Sequence, residues 1–263
     1  SVQCRECVTV KNSISGCAEK TVGLNGRQFF CETMLLILVQ TIDFCEENAI
    51  MNRENALGVP KMIKKVICIG DSLTEGDYGV FGKSGIANVQ EKNYPYYLGK
   101  LLGTEVVNCG KCGFTATSYL EYYKSGAVCA DGADLVIVML GTNGGLDGEK
   151  DVPGNRDYDS LIKLIKSDAD GARIVLCTPP HTTVNPDMSN CGYAPQAEKA
   201  ARFVRRYAEE NNLDCIEVAE CGMFSDENEP VMQPNDGLHF SEVGYGVMAV
   251  YIKDELKRLK IVG

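Results

Sequence analysis

The chain has 263 residues, 44% of them apolar and 24% charged; this suits a sizeable core and excludes a disordered or collagen-like polymer. Its 36 acidic and 26 basic side chains give a formal net charge of −10, which repels nucleic-acid backbones and anionic lipid surfaces. Apolar runs such as Met34–Val39 and Leu135–Leu140 fall well short of the roughly 20 residues a membrane helix needs.

Residues 1–61 hold five of the 13 cysteines (Cys4, Cys7, Cys17, Cys31, Cys45) and one periodic segment, a helix expected at about 28–47. They read as an N-terminal extension of unknown role, its helix a core or dimer element, with Met62 opening a second domain over 62–263. No signal-peptide pattern opens the chain, so free thiols in a reducing cytoplasm are expected, with secretion left open. From residue 65 onward, short apolar runs at 65–69, 105–107, 135–140, 173–177 and 215–218 alternate with helical patterns. Tyr94, Leu98, Leu101 and Leu102 share one helical face. So do Tyr158, Leu161, Ile162 and Ile165, and then Ala197, Ala200, Ala201, Val204 and Ala208. A final helix runs from about 242 to 259 behind a Ser241 cap. Five such alternations predict a parallel sheet covered by helices on both sides, with its ligand site beyond the carboxyl ends of the strands.

The residues just past each strand are therefore the informative ones. After the first comes Gly70-Asp-Ser72-Leu-Thr-Glu-Gly76; a serine there is either a helix cap or a nucleophile beside free backbone amides. After the second comes Asn108-Cys-Gly110-Lys-Cys-Gly113, either a plain turn or a backbone N–H open to the cleft. After the third comes Gly141-Thr-Asn143-Gly-Gly145, either a turn-forming Asn-Gly pair or an uncharged side-chain donor. Before the last helix stands Asp236-Gly-Leu-His239, holding one of the two histidines, either a surface turn or a carboxylate orienting a general base. The other, His181, reads as a loop residue. The Cys4/Cys7 and Cys109/Cys112 pairs could form a zinc site, but a metal at the second would crowd the glycine block, so no metal is expected.

In order and placement these four blocks resemble the SGNH hydrolases, the GDSL esterase/lipase family, through Ser72, Gly110, Asn143 and His239, over residues 62 to about 260. The resemblance implies a flavodoxin-like α/β fold: a three-layer α/β/α sandwich with a mainly parallel five-stranded sheet. It also implies ester hydrolysis without a cofactor. Ser72 would be the nucleophile, His239 the base and then acid, and Asp236 its orienting carboxylate. The backbone N–H groups of Ser72 and Gly110 and the Asn143 side chain would form the oxyanion hole. Gly144 departs from the pattern, since many members carry Asp after the block-three Asn.

The polar loop 182–194, with Asn185, Asp187, Ser189 and Asn190, suggests a hydroxylated leaving group. A short-chain acyl ester, O-acetyl on a carbohydrate foremost, is therefore the expected substrate. Tyr78 and Phe81 either pack against the sheet or offer a platform for a sugar ring. A lysophospholipase or acyl-thioesterase on the same triad and a silent binding module are the alternatives. Neither a nucleic-acid partner nor a membrane span is expected, and homo-oligomerisation stays open.

Overall fold

The computed structural model describes residues 63–79 and 92–263. The N-terminal extension, its helix at 28–47, the start at Met62, the Cys4/Cys7 pair and Phe81 lie outside the described residues. Five strands, β1 (Lys65–Gly70), β2 (Glu105–Gly110), β3 (Leu135–Met139), β4 (Arg173–Cys177) and β5 (Asp214–Ile216), form one parallel sheet in the order β2-β1-β3-β4-β5. Gly70 pairs with Gly110 on one side and Met139 on the other, so the carboxyl ends of the three neighbouring strands lie level. The chain leaves β1 toward β2 and returns to its other side for β3. That reversal is the topological switch point at which parallel α/β sheets open a ligand crevice.

Alternate residues of these strands are buried on opposite faces, which is why the runs are apolar without a gap. Ile67, Ile69, Val136, Val138, Ile174 and Leu176 meet helices α3 (Ala116–Lys124), α4 (Pro153–Asp168) and α5 (Ala194–Glu210). Tyr158 of α4 stands edge-on to Phe203 and Tyr207 of α5, with ring centroids 5.4 Å apart in both pairs. On the other face α2 (Tyr94–Leu102) packs with α7 (Glu242–Arg258). Buried Tyr94 lies beside Cys68 and Cys177, and its hydroxyl is 3.3 Å from Thr74 Oγ1. The result is the expected three-layer α/β/α domain. Two one-turn helices, α1 (Ser72–Glu75) and α6 (Glu229–Met232), complete it. Among the described residues no helix is long and apolar enough to cross a membrane.

The structure departs from the sequence expectation in three places. β2 continues to Gly110, three residues past its apolar run. β5 ends at Ile216, and Val218 opens a 3-10 turn instead. Helix α3 is an element the apolar spacing does not predict. It starts on a capping box in which the Thr115 hydroxyl accepts from Ser118 N–H and the Ser118 hydroxyl accepts from Thr115 N–H. It buries Ala116, Tyr119, Leu120 and Tyr123 along one face.

Candidate active site

β1 passes into α1 with no intervening loop, and the sequence permits this because residue 70 is glycine. A Cβ there would lie 2.0 Å from Thr74 Oγ1 and 2.7 Å from the Met139 carbonyl. Asp71 caps the turn, its Oδ1 accepting Leu73 N–H at 3.1 Å, and Gly76 closes it at φ 103°. Ser72, 2% exposed, is the first helical residue, and its N–H has no hydrogen-bond partner among the described residues. Because α1 is a single turn, what it offers an anion is this amide rather than a helix dipole.

The turn at 236–239 approaches from the α6–α7 connection, with Gly237 at φ 76°. Asp236 Oδ1 accepts the backbone N–H groups of Leu238 and His239, at 3.0 and 2.9 Å. Its Oδ2 accepts His239 Nδ1–H at 2.7 Å and Asn190 Nδ2–H at 2.9 Å. With the ring proton on Nδ1, Nε2 is left to accept the Ser72 hydroxyl, 2.9 Å away. Ser72 and His239, 167 positions apart along the chain, therefore join Asp236 in one buried hydrogen-bonded series. Burial works to lower the imidazole pKa, but the Asp236 hydrogen bond and the carboxylates of Asp236, Asp77 and Asp71 outweigh it and hold it above the ordinary histidine value. Burial likewise works to raise Asp236, and the bonds from His239 and Leu238 keep it below the usual carboxylate value.

The glycine expected to supply an oxyanion amide is corrected by the structure. Gly110 ends β2, and its N–H donates to Asn108 Oδ1 at 2.9 Å, so it is not available to a ligand. A Cβ at Gly110 would sit 2.1 Å from Glu75 N; glycine is required there so that β2 can pack against α1. The loop itself begins at Lys111. Gly113, at φ 75° with open space where a Cβ would be, has an N–H without a partner among the described residues. Its neighbours are both tied to the site. Cys112 Sγ–H donates to Asp77 Oδ2 at 3.5 Å, and the Phe114 carbonyl accepts from Asn143 Nδ2 at 3.0 Å. One N–H of the Asn143 amide is thereby held, and the second is free to donate elsewhere. The signal separating Gly113 from Gly110 is the true end of β2, which lies beyond the apolar residues that mark it.

Other expected features sit at the margin. His181 Nε2 pairs with Asp226 Oδ1 at 2.9 Å and not with Ser72, His239 or Asp236. In the loop 182–194, Asn190 braces Asp236, and Asn185 caps Asp187 N–H and reaches toward Glu229; these amides serve the fold, while Asp187 and Ser189 stay exposed. Tyr78 is tied by its hydroxyl to the Lys92 carbonyl at 2.6 Å, with its ring 5.5 Å from that of Tyr245. Gly144 sits at φ 82°, a left-handed backbone that glycine adopts without strain. The eight described cysteines are free thiols; Cys68 and Cys177 lie within strands, where burial pushes their pKa upward.

A parallel sheet presenting serine, histidine and aspartate in series at its switch point defines a hydrolase of the α/β class. The chain belongs to the GDSL-like lipase/acylhydrolase family, whose model matches residues 68–247, and is a carboxylic ester hydrolase. Among solved structures it is similar to an aryl esterase from M. smegmatis (20% identity, TM-score 0.56, 74% of this chain and 99% of that one). It is also similar to a carbohydrate acetylesterase family member from Sinorhizobium meliloti (21%, 0.55, 76% and 99%). A third is a lipase/acylhydrolase from Enterococcus faecalis (18%, 0.54, 75% and 97%). At these identities the likeness is one of fold. Comparison with curated proteins gives no match.

Proposed function

We propose that the protein hydrolyses short-chain acyl esters, O-acetyl groups on a carbohydrate foremost, with Ser72 as nucleophile, His239 as base and acid, and Asp236 as the carboxylate orienting it. The observation that carries the reading is the series Ser72 Oγ–His239 Nε2–Asp236, at 2.9 and 2.7 Å. The hydroxyl attacks the acyl carbon as its proton passes to Nε2, making the imidazolium that Asp236 stabilises through Nδ1–H. The tetrahedral oxyanion receives the Ser72 and Gly113 N–H groups and the free N–H of Asn143, each worth about 3 kcal/mol to the transition state. His239 then protonates the departing alcohol oxygen. Water attacks the acyl-enzyme with the same nitrogen as base, releasing acid and restoring Ser72.

The short acyl group follows the expectation drawn from the polar loop 182–194. It is also supported by the acetylesterase and the aryl esterase among the similar folds. The loop 182–194 contributes less than its composition suggests, because two of its amides face inward. The test is an acyl-length series of chromogenic esters together with acetylated sugars, run on wild type and Ser72→Ala. Acetyl should be the best substrate, and the variant should lose at least about a thousandfold in kcat/KM while staying folded. Preference for acyl chains of ten or more carbons would replace this substrate class with a lysophospholipase-like one. Unchanged turnover by Ser72→Ala would refute the mechanism.

A further inference from the structure

The segment immediately after α1 wraps the histidine–aspartate pair. Gly79, at φ 67°, brings its backbone so close to Asp236 that a Cβ would lie 2.4 Å from Oδ2 and 2.6 Å from Cγ. Two residues earlier, Asp77 is 1% exposed. Its Oδ1 accepts Gly79 N–H at 2.8 Å, which leaves Oδ2 facing His239 Nε2 at 3.8 Å and accepting the Cys112 thiol at 3.5 Å. Its backbone is pinned as well, its carbonyl accepting the Tyr245 hydroxyl at 2.6 Å. The imidazole thus lies between two buried carboxylates, Asp236 on its Nδ1 edge and Asp77 on its Nε2 edge. No lysine or arginine forms an ion pair with Asp77 among the described residues. A buried carboxylate is costly unless a counter-charge or hydrogen bonds compensate it, and the one cation this arrangement can generate is the imidazolium itself.

We infer that Asp77 is a positioning residue for the hydrolysis, a second carboxylate that stabilises protonated His239 from its Nε2 side while Asp236 does so from Nδ1. It rests on the reading of Ser72, His239 and Asp236 as the reacting groups. When Nε2 takes the serine proton, positive charge appears 3.8 Å from an anion already fixed in place. Asp77 therefore favours the charge-separated state through the base. The charged and titratable groups facing His239 among the described residues are Asp236 from its own turn, Asp71 from the turn after β1, and Asp77, with Cys112 reaching Asp77 from the loop after β2.

The test is the pH profile of kcat/KM for p-nitrophenyl acetate on the full-length chain, wild type against Asp77→Asn, beside Ser72→Ala. A base must be neutral to act, so a counter-anion moves the acid limb to higher pH. Asp77→Asn should shift the limb to lower pH by about one unit and lower the alkaline plateau between about three- and tenfold, with KM little changed. An unmoved limb in a folded Asp77→Asn protein, judged by circular dichroism and fluorophosphonate labelling at Ser72, overturns the inference and leaves the triad reading intact. Turnover by Ser72→Ala overturns the triad reading instead. Should Asp77→Asn fail to fold, Asp236→Asn retains Asp77 as the carboxylate nearest the ring, with Asp71 beyond it. Its His239 should then titrate by NMR above the ordinary 6.5, and a value at or below 6.5 also overturns the inference.

Discussion

Asp236 Oδ2 accepts two hydrogen bonds, from His239 Nδ1 and from Asn190 Nδ2, and the Asn190 backbone N–H reaches the Asp236 carbonyl at 3.2 Å. The asparagine fixes the plane of the carboxylate, and the carboxylate fixes the ring. Asn190→Ala removes a charge-assisted bond from a buried carboxylate while filling no new space, so kcat should fall by about tenfold with KM nearly unchanged in steady-state acetate-ester kinetics. The same bonds set the pH dependence of wild type. Because the imidazole lies above its ordinary 6.5, the neutral base is depleted earlier on acidification than a free histidine would be, and kcat/KM should decline through a limb above 6.5. A limb below that value in the wild-type profile would contradict the carboxylate environment described for His239.

At the scale of the element, the end of β2 decides which glycine keeps an unbonded N–H among the described residues. Strand, helix and switch point were legible in the sequence because both faces of the sheet are covered, which leaves runs such as Leu135–Met139 uninterrupted by polar residues. β2 is an edge strand whose last residues are Asn108, Cys109 and Gly110; polarity hides its end, and the glycine N–H open to a ligand therefore lies at Gly113 rather than Gly110. In helix α3 the buried set is short, Ala116, Tyr119, Leu120 and Tyr123 alone, and its opening Ala116-Thr117-Ser118 suits a turn as readily as a helix. The Ser72, Asp236 and His239 trio could be read from local motifs, whereas Asp77 and Asn190 could not, since both act through contacts that only the folded chain creates. Two substitutions separate the glycines. Gly110→Ala places a methyl 2.1 Å from the Glu75 backbone and should destabilise the fold by more than about 2 kcal/mol in urea denaturation. Gly113→Ala meets open space, so it should cost only about 1–2 kcal/mol for its positive φ and instead depress kcat, because the amide it holds toward the oxyanion is displaced.

For the molecule as a whole, the active site makes stability depend on pH in opposing directions. Asp236, held below the usual carboxylate value, contributes stability that is present above its unfolded pKa and lost as pH falls through the folded one. His239, held above 6.5, contributes below its unfolded value and loses that contribution as pH rises through its folded one. Asp71 has the largest conflict with its setting. Burial raises it to about 6, against the hydrogen bond from Leu73 N–H, and its Oδ2 is buried without a hydrogen-bond partner among the described residues. Its raised pKa means that stability is full below about 3.8 and is lost as pH rises through about 6, where the folded chain must carry a buried charge that the unfolded chain carries in water. Asparagine caps a helix as well as aspartate does and needs no ionisation. Asp71→Asn should therefore stabilise the protein at pH 7.5 by on the order of 1–3 kcal/mol, a gain that shrinks steadily toward pH 4. It should also lower activity, because Asp71 is one of the three carboxylates that support the imidazolium. Urea denaturation of wild type and Asp71→Asn across that pH range measures the gain directly, and a constant difference between the two would show that the carboxylate at position 71 titrates as it does in the unfolded chain.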